Sequence, residues 1–444
     1  MPAPDRPPAT PPTLSRGRPD LCPGAVRLHH GDDGSVARIR VPGGLLRADQ
    51  LDEIVCAATE LGDGSIEVTS RGNLQLRGLP SSCGGDLADR LYAVGLLPSV
   101  AHDRARNVLL SPLSGLDGRG LANLAPAVAT YDGILCGTTA LAALSGRFLV
   151  AFDDGRHDVA ALDADVTLVA RAERFTELLL AGLPTGLTVA TGDAARCAAT
   201  AAEAFLAARA DAGADSWRVR DLVGNPLDLL PAVQALLLDH GVPHEQSDPG
   251  LRPLAGRRQG PAIGVVRSPE GPAALSVLAP LGRAPAAAWQ ALVELARTAA
   301  GDLRLTPWRG IVIPGVDIAG CTTGLASLAS AGFVTSARSP RAGVTACAGR
   351  PGCARSLADV HADAVAAFAA QKASGATLLP VHWSGCERRC GHPTGARVEV
   401  VAQPGGHYAL ERHDVDDPPT LTSLAADAST QTLAGAVSDA RRTP

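Results

Sequence analysis

Lysine is almost missing from this chain: of 40 basic residues in 444, Lys372 is the one lysine. Arginine is therefore the general cation, and its planar fork suits carboxylate recognition better than an ammonium group does. Aromatic residues make up 3%, too few for base-stacking platforms, and a net charge of -5 gives no overall attraction to phosphate. Nucleic acid is not an expected partner. Long apolar runs are absent too, since charge or proline interrupts the Ala- and Leu-rich stretches well short of the roughly 20 residues a membrane span requires. Membranes are not an expected partner either. The opening segment carries Pro2, Pro4, Pro7, Pro8, Pro11, Pro12 and Pro19 with no apolar run, so residues 1–20 read as a flexible tail and not as a signal peptide. A cytoplasmic protein is expected. With 46% apolar residues the chain can fill real cores, and its length suits about three domains.

Cysteine is where the chemistry is concentrated. Cys347 and Cys353 in TACAGRPGC, and Cys386 and Cys390 in SGCERRC, form Cys-x5-Cys and Cys-x3-Cys pairs about thirty residues apart. Four thiolates on two short loops are the ligand count of a 4Fe-4S cluster. Gly349, Gly352, Gly385 and Gly391 crowd the same loops, and residues without side chains let backbone amides approach cluster sulfurs. Pro351 and Gly352 place Cys353 at the mouth of a helical pattern with Leu357, Val360, Val365 and Phe368, so a helix is expected to begin there. A zinc site or inert core thiols are the rival readings. Cys22, Cys56, Cys83, Cys136, Cys197 and Cys321 lack such pairing and read as small buried thiols, with no disulfide framework.

A repeat organises the rest. From Val36 to Leu79 the order is strand (VARIRV), helix (Leu51, Ile54, Val55, Ala58, Leu61), strand (SIEVTS), the turn Arg71-Gly72-Asn73, and strand (LQLRGL). Residues 274–316 repeat it as ALSVLAP, AAAWQALVELART, DLRLT, the turn Pro307-Trp308-Arg309, and GIVIPG. The fold class is therefore α+β with a duplicated unit. The expected domains are the tail 1–20, a first half-domain 21–100, an α+β domain 101–250, a second half-domain 251–340, an iron-sulfur domain 341–415 and a polar tail 416–444.

The duplicated unit followed by this cysteine quartet resembles the nitrite/sulfite reductase family, from about Cys22 to about Val401. Thr69-x-Arg71 with Gln75, Arg106-Asn107-Val108 and the quartet carry the resemblance. It implies two ferredoxin-like half-domains about a pseudo-two-fold, two further α+β domains, and a 4Fe-4S cluster on Cys347, Cys353, Cys386 and Cys390. By position, Arg71 and Arg106 would face the carboxylates of a bound tetrapyrrole. Gln75 and Arg309, the latter offset by one residue from Arg71, complete the substrate-binding set.

Departures from the family select a branch. The reductases present lysines in the stretch corresponding to LSGRFLVAF, where this chain has Arg147 and Leu149, and leucine cannot donate a proton. The stretches DLCPGAVRL, DDGSVARIRVPGGLL, RNVLLSPLSGLDG and LTPWRGIVIPG resemble the shorter precorrin-3B synthase branch. That resemblance implies an O2-dependent monooxygenase of cobalamin biosynthesis with precorrin-3A as substrate. NADH or a reductase would serve as electron donor. It also implies a mononuclear non-haem iron, commonly held by two histidines and a carboxylate. His29, His30, His102, His157, His382 and His392 lie in candidate stretches, and the sequence singles out no set. His382 and His392, close to Cys386 and Cys390, read equally as outer-sphere to the cluster. The catalytic residue stays unassigned. The alternative is a sulfite or nitrite reductase, in which sirohaem would be a cofactor.

Overall fold

The computed structural model describes residues 20, 22–212, 216–248, 260–269, 271–369, 378–393, 395–414, 420–423 and 430–442. The expected proline-rich tail lies outside them apart from Asp20. The chain divides into two compact units built from interleaved segments: Met1–His29, Ala37–Leu45 and Gly84–Gln259 form one, and His30–Val36, Leu46–Cys83 and Gly260–Pro444 the other.

The repeat is present as read. In the first copy the strand Gly34–Ile39 is followed by the helix Ala48–Leu61 and the hairpin Ser65–Val68 with Leu74–Leu79. In the second copy, Ala273–Leu278, the helix Ala286–Thr298, and Asp302–Leu305 with Gly310–Val316 take the same places. The first helix buries Leu51, Ile54, Val55 and Ala58 of its expected face, with Leu61 half-buried at its end, and the second buries Trp289, Leu292, Val293 and Ala296. The Gln50 side chain accepts the Arg47 backbone N–H at 3.0 Å, half of a capping box that fixes where the first helix starts.

The copies are tied together by exchanged strands that periodicity did not reveal. Arg283–Pro285, just before the second helix, pairs antiparallel with Ser65–Val68 of the first copy, and Leu45–Arg47, just before the first helix, closes the sheet of the second. The exchange is reciprocal at the helix starts. Ala286 N–H donates to Gly64 at 2.8 Å, and Ala48 N–H donates to Gly301 at 2.9 Å. These are the ferredoxin-like half-domains, related by a pseudo-two-fold.

The same unit holds a five-stranded sheet in the order Val344–Ala346, Val381–Ser384, Arg397–Gln403, His407–His413, Thr420–Ser423. The first three strands run parallel and the last two antiparallel. Two expectations are corrected here. The helix near the cysteines begins at Val360, not at Cys353, and its buried face is Val360, Ala364, Ala367 and Phe368, with Leu357 and Val365 exposed. The preceding residues are held in a closed loop instead: Arg350 N–H donates to Ala358 O (2.9 Å) and Leu357 N–H to Gly385 O (2.7 Å). The polar segment 416–444 is not simply a tail. Thr420–Ser423 adds a strand, and the helix Thr430–Ala440 buries Leu433 and Val437, an i,i+4 pair, in the core around Trp383.

The other unit has a six-stranded sheet from His244–Gln246 through Leu183–Ala190, Phe175–Leu180, Val166–Ala172 and Val150–Asp153 to Val108–Leu110. Helices Ala125–Gly137 and Ala194–Asp211 share its core, where Phe148 stacks on Phe205. Among the described residues no helix is long and apolar enough to cross a membrane.

Candidate iron-sulfur site and the arginine turns

The strand Val381–Ser384 separates two environments by its period of two. Trp383 points into the core, edge-on to Phe368 and Tyr408. His382 and Ser384 point to the opposite face. On that face the register aligns Thr345, His382, Glu399 and Glu411 in one rung across four strands, directly beneath the Cys386–Cys390 loop. His382 Nε2–H donates to the Cys390 carbonyl (3.1 Å), which leaves Nδ1 to accept the Thr345 hydroxyl (2.8 Å). Burial, reinforced by the Arg309 charge, pushes the His382 pKa down to about 3, so the ring stays neutral. Arg389 crosses from the cysteine loop to Glu399 (2.9 Å) and to both carboxylate oxygens of Glu411. Arg397 completes the pairing of Glu399 at 2.6 Å.

All four cysteines of the two loops are free thiols, and those of Cys386 and Cys390 lie close enough to Cys347 to act on its charge. Cys347 donates its N–H to Trp383 O at 2.9 Å, and its sulfur accepts the Gly385 N–H at 3.2 Å, the kind of amide contact a cluster thiolate needs. Burial raises the Cys347 pKa, the Gly385 and Gly349 amides oppose that, and the thiols of Cys390 and Cys386 add to it. The glycines are required by closeness. A Cβ on Gly385 would lie 1.8 Å from Ser356 Oγ, and one on Gly349 would lie 2.8 Å from Val360 Cγ2. Ser384 Oγ is fully buried without a hydrogen-bond partner, on the same face as His382. The donor set, the amides and this orphaned hydroxyl suit a 4Fe-4S cluster, which Cys347, Cys353, Cys386 and Cys390 would hold.

Both half-domains grip the cysteine loops. From the first, Arg77 pairs with Asp33 (3.0 Å) and donates to Gly352 O (2.9 Å), while the Asp32 carboxylate accepts Ala354 N–H. From the second, Arg309 donates to Gly391 O at 3.2 Å. Sequence reasoning missed Arg77, Asp33, Arg389 and Glu399. The readable signal for Arg77 and Glu399 was a charge inside the strand stretches LQLRGL and RVEVVA.

The two arginine-bearing turns are built alike. Thr69 N–H donates to Asn73 O and Thr306 N–H to Gly310 O, while Thr69 Oγ1 accepts Asn73 N–H as Thr306 Oγ1 accepts Gly310 N–H. The match makes Arg309 the counterpart of Gly72, not of Arg71, and explains the one-residue offset. Gly72 has φ 64° and Arg309 φ 58°. A left-handed conformation suits glycine and costs an arginine on the order of 1–2 kcal/mol. Arg71 is half-buried on its turn, and Gln75 donates to Glu67 at 2.6 Å.

The structure places Arg106 inside its own unit. It is 3% exposed, its guanidinium holds Asp132 in a fork (2.8 and 2.7 Å), and Nη1 donates to Leu96 O at 2.6 Å. Asn107 donates to Phe148 O at 3.2 Å. The Arg106-Asn107-Val108 motif braces the stretch containing Leu149, and all three guanidinium nitrogens of Arg106 bond to groups of the protein. Leu149 is buried with its N–H on Asp165 (2.8 Å), and Arg147 lies over the Trp217 ring at 4.3 Å.

Among the described residues the histidines do not assemble an iron site. His102 bonds Ser99 Oγ and Thr138 O through its two nitrogens, His382 is similarly engaged, His30 faces Ser35, and His392 faces Pro393 O. Nor, among the described residues, do His29 and His157 belong to any grouping of two histidines with a carboxylate. Among the described residues, the group of three metal-capable side chains with ligand atoms within 4.8 Å is Glu399, Glu411 and His413, and its carboxylates are paired with Arg389 and Arg397. The described residues present no set that fits a mononuclear iron. Of the six other cysteines, Cys83, Cys197 and Cys321 are buried, Cys22 and Cys136 half-buried, and Cys56 exposed, so the reading as buried thiols fails for Cys56.

Residues 28–94 and 266–323 match the family described as "Nitrite/Sulfite reductase ferredoxin-like half domain". The chain carries this half domain twice. A precorrin-3B synthase of Sinorhizobium sp is 24% identical over 400 residues, covering 89% of this chain and 83% of that protein. The ferredoxin–nitrite reductase of Synechococcus elongatus is 26% identical over 399 residues, covering 82% and 76%. The chloroplastic ferredoxin–nitrite reductase of Zea mays is 25% identical, covering 82% and 69%. Among solved structures, the Mycobacterium tuberculosis NirA protein superposes with a TM-score of 0.68 at 19% identity, covering 90% of this chain and 79% of that one, which establishes the shared fold. Similarity to nitrite reductases and to a precorrin-3B synthase thus extends over 82% to 89% of the chain, and these relatives are enzymes.

Proposed function

We propose that this chain is a precorrin-3B synthase, hydroxylating precorrin-3A with dioxygen and closing a lactone from a ring acetate. One oxygen atom enters the macrocycle and the other leaves as water, with two electrons and two protons from an external donor such as NADH or a reductase. The observation that carries the reading is Leu149. Reducing sulfite or nitrite requires proton donors at the anion, and here the corresponding position is a buried leucine whose neighbour Arg147 is turned onto Trp217. Similarity to a precorrin-3B synthase over 83% of that relative's length supports it.

A 4Fe-4S cluster, when bound, supplies one-electron transfer. The chain's own residues do the holding: Arg77, Asp32 and Asp33 fix the Cys353 loop, and His382, Arg389 and Arg309 fix the Cys390 loop. Arg71 is the arginine we assign to the substrate's carboxylates, which a guanidinium can hold in a fork. No step is assigned to a mononuclear iron. The test is turnover of precorrin-3A under oxygen-18 gas, followed by mass, with one labelled atom expected in the product. Efficient six-electron reduction of sulfite or nitrite by protein holding stoichiometric sirohaem would establish the reductase alternative instead.

A further inference from the structure

Arg309 occupies a position its own counterpart shows to be made for glycine. Gly72 takes the left-handed conformation freely, whereas Arg309 adopts it with a side chain. Something outside the turn must hold that residue there, and its surroundings show what. Gly282 makes room for the stem: a Cβ on that residue would lie 2.4 Å from Arg309 Cδ. The guanidinium then reaches the carbonyl of Gly391, next to Cys390. The same carbonyl run is held from below, because His382 donates to Cys390 O at 3.1 Å. The loop is thus clamped on both sides, by a neutral ring and by a permanent cation.

Resting on the cluster reading above, we propose that Arg309 is a positioning residue for the 4Fe-4S site and not a clamp for substrate carboxylates: it holds the Cys390 loop against the second half-domain and sets a fixed positive charge beside that ligand. A nearby cation favours the reduced, more negative state of a cluster. Removing it should lower the midpoint potential and loosen the loop.

The experiment is a mediator titration of full-length protein, followed by visible absorbance and electron paramagnetic resonance, with iron and sulfide measured beforehand. Arg309→Gly and Arg309→Asn are the main variants, since both residues accept a left-handed backbone and should fold at least as well as the parent. Expected are full iron content, a midpoint more negative by about tenfold in equilibrium constant, ~59 mV for one electron, and several-fold faster bleaching in air. Arg309→Lys should keep most of the potential. Unchanged potential and bleaching in both main variants would overturn the proposal, as would loss of precorrin-3A affinity with the cluster unaltered. Cys390→Ser tests the underlying reading separately. It should lose or destabilise the cluster, and a parent protein without iron and sulfide would remove the cluster reading whatever Arg309 does.

Discussion

Replacing Arg106 by methionine separates a structural arginine from a ligand-binding one. The change removes the fork to Asp132 and the bond to Leu96 O, leaving a carboxylate and a carbonyl without their donor. Breaking a buried ion pair from one side costs about 3–5 kcal/mol, because the surviving charge is stranded. The Asp132 side chain is 20% exposed, so water recovers part of that loss and the lower end, about 3 kcal/mol, applies. At roughly 2–4 °C per kcal/mol for a unit of this length, the melting temperature should drop by about 6–12 °C. Arg106→Met with Asp132→Leu removes both charges and should return to within about 1 kcal/mol of the parent, since a paired set of apolar groups has nothing left unsatisfied. Differential scanning calorimetry reads the stability of all three proteins, and precorrin-3A affinity is measured at a temperature where each is folded. A single variant that melts like the parent but binds precorrin-3A more weakly would refute the structural assignment.

Two further outcomes follow from other positions. Arg71→Ala should weaken precorrin-3A binding by roughly ten- to a hundredfold, the equivalent of one charge-assisted hydrogen bond of about 1.5–3 kcal/mol, while leaving cluster absorbance intact; an unchanged affinity in equilibrium titration would remove Arg71 from the site. Asp158 accepts the Ser111 hydroxyl at 2.6 Å, and burial, then the Asp153 carboxylate, pushes its pKa up to about 7. Its folded value lies above an unfolded one of about 3.9. The stability it contributes is present below pH ~4 and lost as pH rises toward 7. Urea midpoints should therefore fall across that window in the parent and fall less in Asp158→Asn; identical slopes would show that Asp158 is not the group responsible.

The sequence made the repeat legible because its elements are long enough to show a period. Leu51, Ile54, Val55 and Ala58 mark a helix face wherever the chain goes next, and so do Trp289, Leu292, Val293 and Ala296. The exchanged strands Leu45–Arg47 and Arg283–Pro285 escaped because three residues carry no period and their partners lie in the other copy. The same limit explains the helix at Val360. Leu357 and Val365 fit the spacing, but Leu357 N–H is taken by Gly385 O, a partner supplied by a distant loop. Leu433 and Val437 were hidden for a third reason. Two apolar residues in a polar stretch look like surface until a core is known to be waiting for them.

The arginines show where reading by residue type stops. Arg71, Arg77, Arg106, Arg309 and Arg389 are alike in sequence, and no spacing says that Arg106 faces inward to Asp132 while Arg389 reaches out to Glu411. Register decides it. Glu399 falls opposite both His382 and Glu411, so three short strands bring a histidine and two carboxylates into one rung, and the cysteine loop can settle on them only by supplying a cation. Arg389 supplies it at φ 48°, Arg309 approaches the same loop at φ 58°, and both therefore hold conformations that arginine alone would abandon. Arg389 is neutralised by Glu399 and Glu411, so Arg309, bonded to the Gly391 carbonyl, is the cation that approaches Cys390 from outside the loop. An anionic cluster on four thiolates is the charge that cation would face.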